Sequence, residues 1–216
     1  MSEAIRRIPH QHTIRHRARP YRVVLVSGRS WYLRGDLYAT LLRTGIQCLP
    51  EALLHSEPEL RHRGNTCLLV AAWADYDASS LGPYHEFMVL GVTRIRPPVQ
   101  VTVLKIWVDS AASLAGARAL WNIPKQLGDF TPGEGPGHRR TLRADGRLVV
   151  SCDFRRKRRL PTATPLPLHV AQPWPGGVQR TLYLLSGRSG VHGQRAVRVS
   201  GQLLSLWADS SSPCPV

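Results

Sequence analysis

The sequence predicts an α+β protein, mainly antiparallel β, whose sheet folds into a cone or barrel with a few helices packed on it. Three observations predict this. Across 216 residues, β-branched and apolar runs outnumber segments with helical periodicity. Turn residues join those runs, drawn from 18 Gly and 17 Pro. Neither βαβ alternation nor an internal repeat is visible. A chain of this length buries roughly 70% of its unfolded surface, enough for one domain with a sizeable core.

Residues 1–19 read as a flexible basic arm, because no periodic apolar pattern precedes Pro20. The domain is expected over residues 20–208. Tyr21 to Ser27 is a β-branched strand closed by Ser27-Gly28, and Ser30 to Leu33 continues it after a kink at Arg29. Asp36 is placed to cap a short helix carrying Leu37, Leu41 and Leu42 on one side, with Gly45 as its stop. Thr66 to Ala74 is a strand apolar on both faces, and the DASSLGP turn leads into a strand from Tyr84 to Ile95. A period of two puts Tyr84, Glu86, Met88, Leu90 and Val92 on one face of it and His85, Phe87, Val89 and Gly91 on the other.

Pro97-Pro98 turns the chain into Gln100 to Val108, where Lys105 shares a face with Val101, Val103 and Trp107. Asp109, Ser110 or Ser113 caps a second helix over about Leu114 to Trp121, whose Ala115, Gly116 and Ala117 allow close packing on a sheet. Asn122 and Pro124 end it. After the TPGEGPG loop, Arg140–Arg143 and Arg147–Phe154 form a hairpin about Ala144-Asp145-Gly146. Leu160 to Pro175 is an extended proline-rich connection, Val178–Leu185 and Ala196–Trp207 are strands, and 209–216 is a flexible tail.

The net charge of +15 is concentrated in the arm and in the run Arg155, Arg156, Lys157, Arg158, Arg159. Such charge suggests nucleic acid. Phe154 is the sole aromatic beside that run, so no stacking surface accompanies it and the clusters read as solvated faces. Nucleic acid is therefore not the expected partner. Cys48, Cys67, Cys152 and Cys214 stand far apart without a CxxC pair or zinc spacing, which points to reduced thiols and no metal site. No secretory apolar region opens the chain, and no apolar run nears the roughly 20 residues of a membrane helix. A cytoplasmic protein without a membrane partner is expected.

Only three of the 29 basic residues are lysines: Lys105, Lys125 and Lys157. Lys125 follows a helix stop and is flanked by Trp121, Ile123, Pro124, Leu127 and Phe130. An apolar setting can strip a lysine of its proton, at a cost of roughly 4–5 kcal/mol from its ordinary pKa to neutrality. The free amine could then attack a carbonyl to form an imine, an electron sink that serves decarboxylation, aldol chemistry and dehydration alike. The other reading of Lys125 is a cation at a helix C-terminus. Glu86 suits a general acid or base if its strand face is apolar, or else a structural ion pair. The histidines show neither a Ser/His/Asp arrangement nor a metal pattern.

The segment ARALWNIPKQLGDF resembles the G-R-E-x-x-G-x-P-K-K signature of the acetoacetate decarboxylase family, with Pro124-Lys125 on its Pro-Lys pair, and DASSLGPYHEF resembles the family's strand ending in Tyr-x-Glu. The resemblance spans about residues 21–154. It implies a cone-shaped antiparallel sheet around an internal pocket, commonly in homo-oligomers. Lys125 then becomes the imine-forming nucleophile and Glu86 its catalytic partner. Arg29 falls where a family arginine pairs with the pocket carboxylate, and with Tyr84, Trp121 and Met88 it is assigned to substrate binding. Departures from the pattern are Gln126 for the second lysine, Ala119 for glutamate, Asn122 for glycine, and Ala71 near the place of a second acid. They argue for an oxo acid other than acetoacetate. The implied function is a cofactor-independent Schiff-base lyase of decarboxylase or aldolase-dehydratase type in a biosynthetic pathway. The alternative is a non-covalent cyclase or isomerase holding a polyketide-like substrate in the same pocket.

Overall fold

The computed structural model describes residues 31–50, 60–131, 139–155, 166–185 and 196–199. The basic arm, the strand expected at Tyr21–Ser27, Arg29, most of the arginine-rich run and the tail lie outside the described residues.

The strands are β1 (Leu33–Gly45), β2 (His62–Arg63), β3 (Thr66–Ser79), β4 (Tyr84–Arg94), β5 (Val99–Val108), β6 (Lys125–Leu127), β7 (Asp129–Thr131), β8 (Arg139–Ala144), β9 (Arg147–Arg155), β10 (Leu166–Trp174), β11 (Gly177–Leu185) and β12 (Ala196–Val199). One α-helix, α1 (Ala111–Trp121), and a 3-10 turn at Ile46–Cys48 complete the described elements. The strands form one sheet in the order β11-β10-β5-β4-β3-β1-β12-β9-β8-β7, with β2 added beside β3 and β6 beside β5. Most neighbours are antiparallel, while β1–β12, β5–β10 and β5–β6 are parallel. The end strands β11 and β7 do not pair with each other among the described residues, so the sheet is not a closed barrel.

Strands β3 and β4 are buried on both faces, as their apolar composition requires. Trp73, Phe87, Trp107, Leu142 and Val150 belong to a core on one side; Tyr84, Leu90, Val108, Trp121 and Ile123 belong to a second core on the other. At roughly 1.5–3 kcal/mol for each large side chain removed from water, these two layers are what hold the sheet together.

Four expectations need correction. The segment from Asp36 to Gly45 is strand, not helix. β1 pairs with β3 from Leu33↔Ser79 to Gly45↔Thr66, and Tyr38 is buried in the first core. Long-range pairing by Tyr38, Thr40 and Thr44 outweighs the local cap and stop signals. The proline-rich connection contains β10. Its Pro167 and Pro173 flank the three residues, Leu168 to Val170, that bond to β5, so neither proline is asked for a ladder donor there. In β5 a bulge opposite Val89/Leu90 resets the alternation, leaving Val101 and Val103 in the second core and Trp107 in the first. Lys105 thus lies opposite Val89, on the side of Trp107 and away from Val103. Finally, Cys67 and Cys152 are buried, but Cys48 is disulfide-bonded rather than a reduced thiol.

Candidate active site

The helix places the lysine. Ser110 is the N-cap of α1, its hydroxyl accepting from the backbone N–H of Ser113 at 3.2 Å. Ser113, Ala117 and Trp121 recur every fourth residue and form the buried face. Gly116 also has a steric reason: a Cβ there would stand 2.5 Å from the Trp31 ring, which meets Trp121 edge-on at 4.6 Å between centroids. Asn122 ends the helix in the left-handed region, at φ 50° and ψ 31°. Asparagine tolerates that conformation, which is how it can stand where the family signature has glycine.

Beyond the stop, Ile123 and Lys125 are buried and Pro124 and Gln126 exposed. Lys125 pairs in parallel with Ile106, and Arg118 Nε donates to the Lys125 carbonyl at 2.9 Å. The backbone carrying the amine is thereby tied to both β5 and α1.

The β3–β4 hairpin places the carboxylate. Ser79 Oγ accepts from Leu81 N–H at 2.9 Å and donates to the Gly82 carbonyl at 2.5 Å, which fixes the turn. The register that follows sets Tyr76 opposite Tyr84, Ala74 opposite Glu86 and Ala72 opposite Met88. On β1, Gly35, Leu37 and Ala39 continue the same rows. Gly35 and Ala39 on β1 and Ala72 and Ala74 on β3 thus lie in rows with the longer Tyr84, Glu86 and Met88 of β4, and the sheet leaves a cavity of about 180 Å³. Glu86, Lys125, Tyr84, Met88 and Trp121 line it, together with Trp31 and the β11 residue Tyr183. Gln172 of β10 secures the far wall: its amide oxygen accepts from Thr102 Oγ1 at 2.7 Å and its nitrogen donates to the Val103 carbonyl at 3.3 Å.

In this cavity Lys125 Nζ donates to Glu86 Oε2 at 2.5 Å and to Ser113 Oγ at 2.8 Å. The lysine is 4% exposed, the glutamate 5% and the serine 0%. Burial this deep costs each ion several kcal/mol of hydration, which the short contact offsets. A proton moving from Nζ to Oε2 turns the pair into a neutral amine and a neutral acid without creating net charge. Nζ also lies 5.6 Å from the centre of the Tyr84 ring.

Burial, reinforced by the negative charge of Glu86, pushes the Tyr76, Tyr84 and Tyr183 phenols well above their ordinary range, so all three stay protonated donors. The Tyr84 hydroxyl is close enough to Glu86 and Ser113 to be influenced by both, yet it is buried without a partner at hydrogen-bond geometry among the described residues.

Lys125, Glu86, Tyr84, Trp121 and Met88 therefore come together in one cavity, whereas Arg29 lies outside the described residues. Ala71, matched above to a second acid, faces the opposite core; the cavity neighbours on β3 are Val70, Ala72 and Tyr76. Ala119 and Gln126 are exposed. Three residues were not anticipated as part of the site. Ser113 was read only as a cap, although a serine in the series Ser113, Ala117, Trp121 marks a polar group on a buried helix face. Tyr76 lies across the hairpin from Tyr84, a pairing that a turn centred near Ser80 already implies. Tyr183 has no comparable sequence signal. Among the described residues no group of three or more His, Cys, Asp or Glu could hold a metal ion, and no helix is long and apolar enough to cross a membrane.

The sequence model of the family described as acetoacetate decarboxylase (ADC) matches residues 49–193. No curated protein sequence matches the chain. Among solved structures, acetoacetate decarboxylase from Legionella pneumophila subsp. pneumophila str. Philadelphia 1 is 18% identical, with a TM-score of 0.51 over 89% of this chain and 78% of its own. Another acetoacetate decarboxylase structure is 16% identical, with a TM-score of 0.53 over 85% and 76% of the two chains. The enduracididine biosynthesis enzyme MppR, complexed with the condensation product of pyruvate and imidazole 4-carboxaldehyde, is 19% identical over 80% and 77%, at a TM-score of 0.44. At these identities the likeness bears on the fold alone.

Proposed function

The chain belongs to the acetoacetate decarboxylase family, and from that premise we propose that it is a cofactor-independent Schiff-base lyase acting on a small oxo acid, with Lys125 as nucleophile. The observation that carries the reading is the buried amine of Lys125, held between Glu86 and Ser113 at the wall of an apolar cavity.

The reaction uses the pair as a proton store. Glu86 takes one proton from the ammonium, and the free amine adds to the substrate carbonyl carbon. Glu86 returns the proton to the new alkoxide, giving a carbinolamine hydroxyl. It then removes a proton from nitrogen and delivers it to that hydroxyl, which leaves as water. The product is an iminium cation facing the Glu86 carboxylate. From there the substrate's neighbouring bond breaks with its electron pair passing into the C=N bond: carbon dioxide leaves from a β-keto acid, or a proton leaves to give the enamine of an aldol or dehydration step. The Tyr84 hydroxyl, buried and without a partner at hydrogen-bond geometry among the described residues, suits a second oxygen of the substrate. A described cavity of about 180 Å³ favours a compact oxo acid over an extended polyketide.

The alternative, a non-covalent cyclase or isomerase, draws support from the row of tyrosine donors, Tyr76, Tyr84 and Tyr183, along the cavity. Turnover by the Lys125→Ala variant separates the two. Across a panel of α- and β-oxo acids the lyase loses nearly all activity, by roughly the 10⁴-fold or more typical of a removed nucleophile. Retention of much of the activity in that variant would favour the alternative.

A further inference from the structure

Glu86 already has a task in the proposed reaction; the second group on the amine does not. Ser113 Oγ stands 2.8 Å from Lys125 Nζ and is fully buried, on the first turn of α1. The helix does not need this hydroxyl. Ser110 supplies the cap, and Ser113 contributes only its backbone N–H to that bond. On a buried face otherwise made by Ala117 and Trp121, alanine would favour the helix more and would bury no polar atom.

We infer that Ser113 is a positioning residue for imine formation: it holds one N–H of Lys125 so that the nitrogen lone pair is kept off the helix side and available to the cavity. Nζ has one bond to Cε and three further directions. Glu86 Oε2 at 2.5 Å takes one and Ser113 Oγ at 2.8 Å takes another. Both oxygens accept from the ammonium; once Glu86 has taken its proton, the N–H on Ser113 Oγ stays in place and the lone pair is confined to the other two directions, toward the Glu86 acid and into the cavity. Lys125 and Glu86 line the cavity, whereas Ser113 supports the amine from the helix side. Without the serine, the amine turns freely about its Cε–Nζ bond, and its lone pair is also lost to the helix side, away from substrate. The role rests on the proposed Schiff-base reading and adds to it the residue that orients the nucleophile.

The test is the rate of reductive trapping with pyruvate and cyanoborohydride, measured at increasing pyruvate in the full chain and in Ser113→Ala, Ser113→Cys and Ser113→Thr, each checked for folding by its melting curve. Ser113→Ala should lower the maximal trapping rate by about 100-fold, the scale of a reacting group misplaced by about 1 Å, while the half-saturating pyruvate concentration stays near the wild-type value. Ser113→Cys keeps the volume but accepts poorly and should be as slow, which guards against a folding defect in the alanine variant. Ser113→Thr keeps the hydroxyl and should recover most of the rate. No trapping in the wild-type chain overturns the Schiff-base reading and this role together. Trapping in the wild type that Ser113→Ala and Ser113→Cys match overturns the positioning role alone. So does a Ser113→Thr variant that folds and is as slow as the other two, since packing rather than the hydroxyl then sets the rate.

Discussion

Replacing the two members of the buried pair singly and together, as Lys125→Met, Glu86→Leu and the double variant, probes the site through stability, with no substrate needed. At 2.5 Å the attraction between the charges is about 7 kcal/mol for an effective dielectric of about 20. Hydration lost by two ions that are each about 95% buried offsets most of it. Glu86→Leu leaves an ammonium with only Ser113 and the Tyr84 ring for company, which should cost about 3–5 kcal/mol. For a chain of this size that is a fall in Tm of roughly 6–20 °C. Lys125→Met should cost less, because the remaining carboxyl can take up a proton and become neutral. The double variant should be as stable as the wild type or more so, by up to about 4 kcal/mol. Urea titrations followed by circular dichroism at neutral pH give the four stabilities and the coupling energy. A double variant that loses the sum of the two single losses would refute the reasoning, because it would mean that the two charges do not interact.

Two further outcomes follow from the same geometry. Tyr76, Tyr84 and Tyr183 are held protonated by burial and by Glu86, so above the unfolded phenol pKa of about 10 the folded chain keeps protons that the unfolded chain has released. Their contribution is therefore intact below about pH 10, and stability should decline above it by about 1.4 kcal/mol per pH unit for buried Tyr84 alone; denaturant titrations at rising pH check this, and a flat profile would contradict it. At the helix stop, Asn122→Gly should cost little beyond the Asn122 Nδ2 bond to the Pro173 carbonyl at 2.7 Å, whereas Asn122→Val should cost a further 1–2 kcal/mol or so for a β-branched residue at φ 50°; equal melting points for the two variants would count against the conformational argument.

Much of the site was legible because it depends on short-range patterns. The period of two in YHEFMVL put Tyr84, Glu86 and Met88 on one face, and the turn and helix stop were marked by Gly82-Pro83 and Asn122-Pro124. β1 was not legible. Asp36, the leucines and Gly45 carry local helix signals, and only the distant partner β3, on which Val70 faces Leu41 from 29 residues away, makes them a strand: a local reading sees propensity but not pairing. The bulge in β5 was hidden for a related reason, since a single inserted residue reverses the faces without altering composition. Ser113 is the instructive omission. A serine near a helix start is usually a cap, and its second use emerges only when Ser110 is seen to occupy the cap and the lysine beyond the helix folds back onto the same face.

The central claim, an imine on Lys125, is tested most directly by peptide mapping after incubation of the protein with pyruvate or a β-keto acid and cyanoborohydride. The account predicts one reduced adduct on the peptide carrying Lys125, with Lys105 and Lys157 unmodified, and no adduct in Lys125→Ala. An adduct spread over all three lysines, or none on Lys125 with any oxo acid, would contradict it.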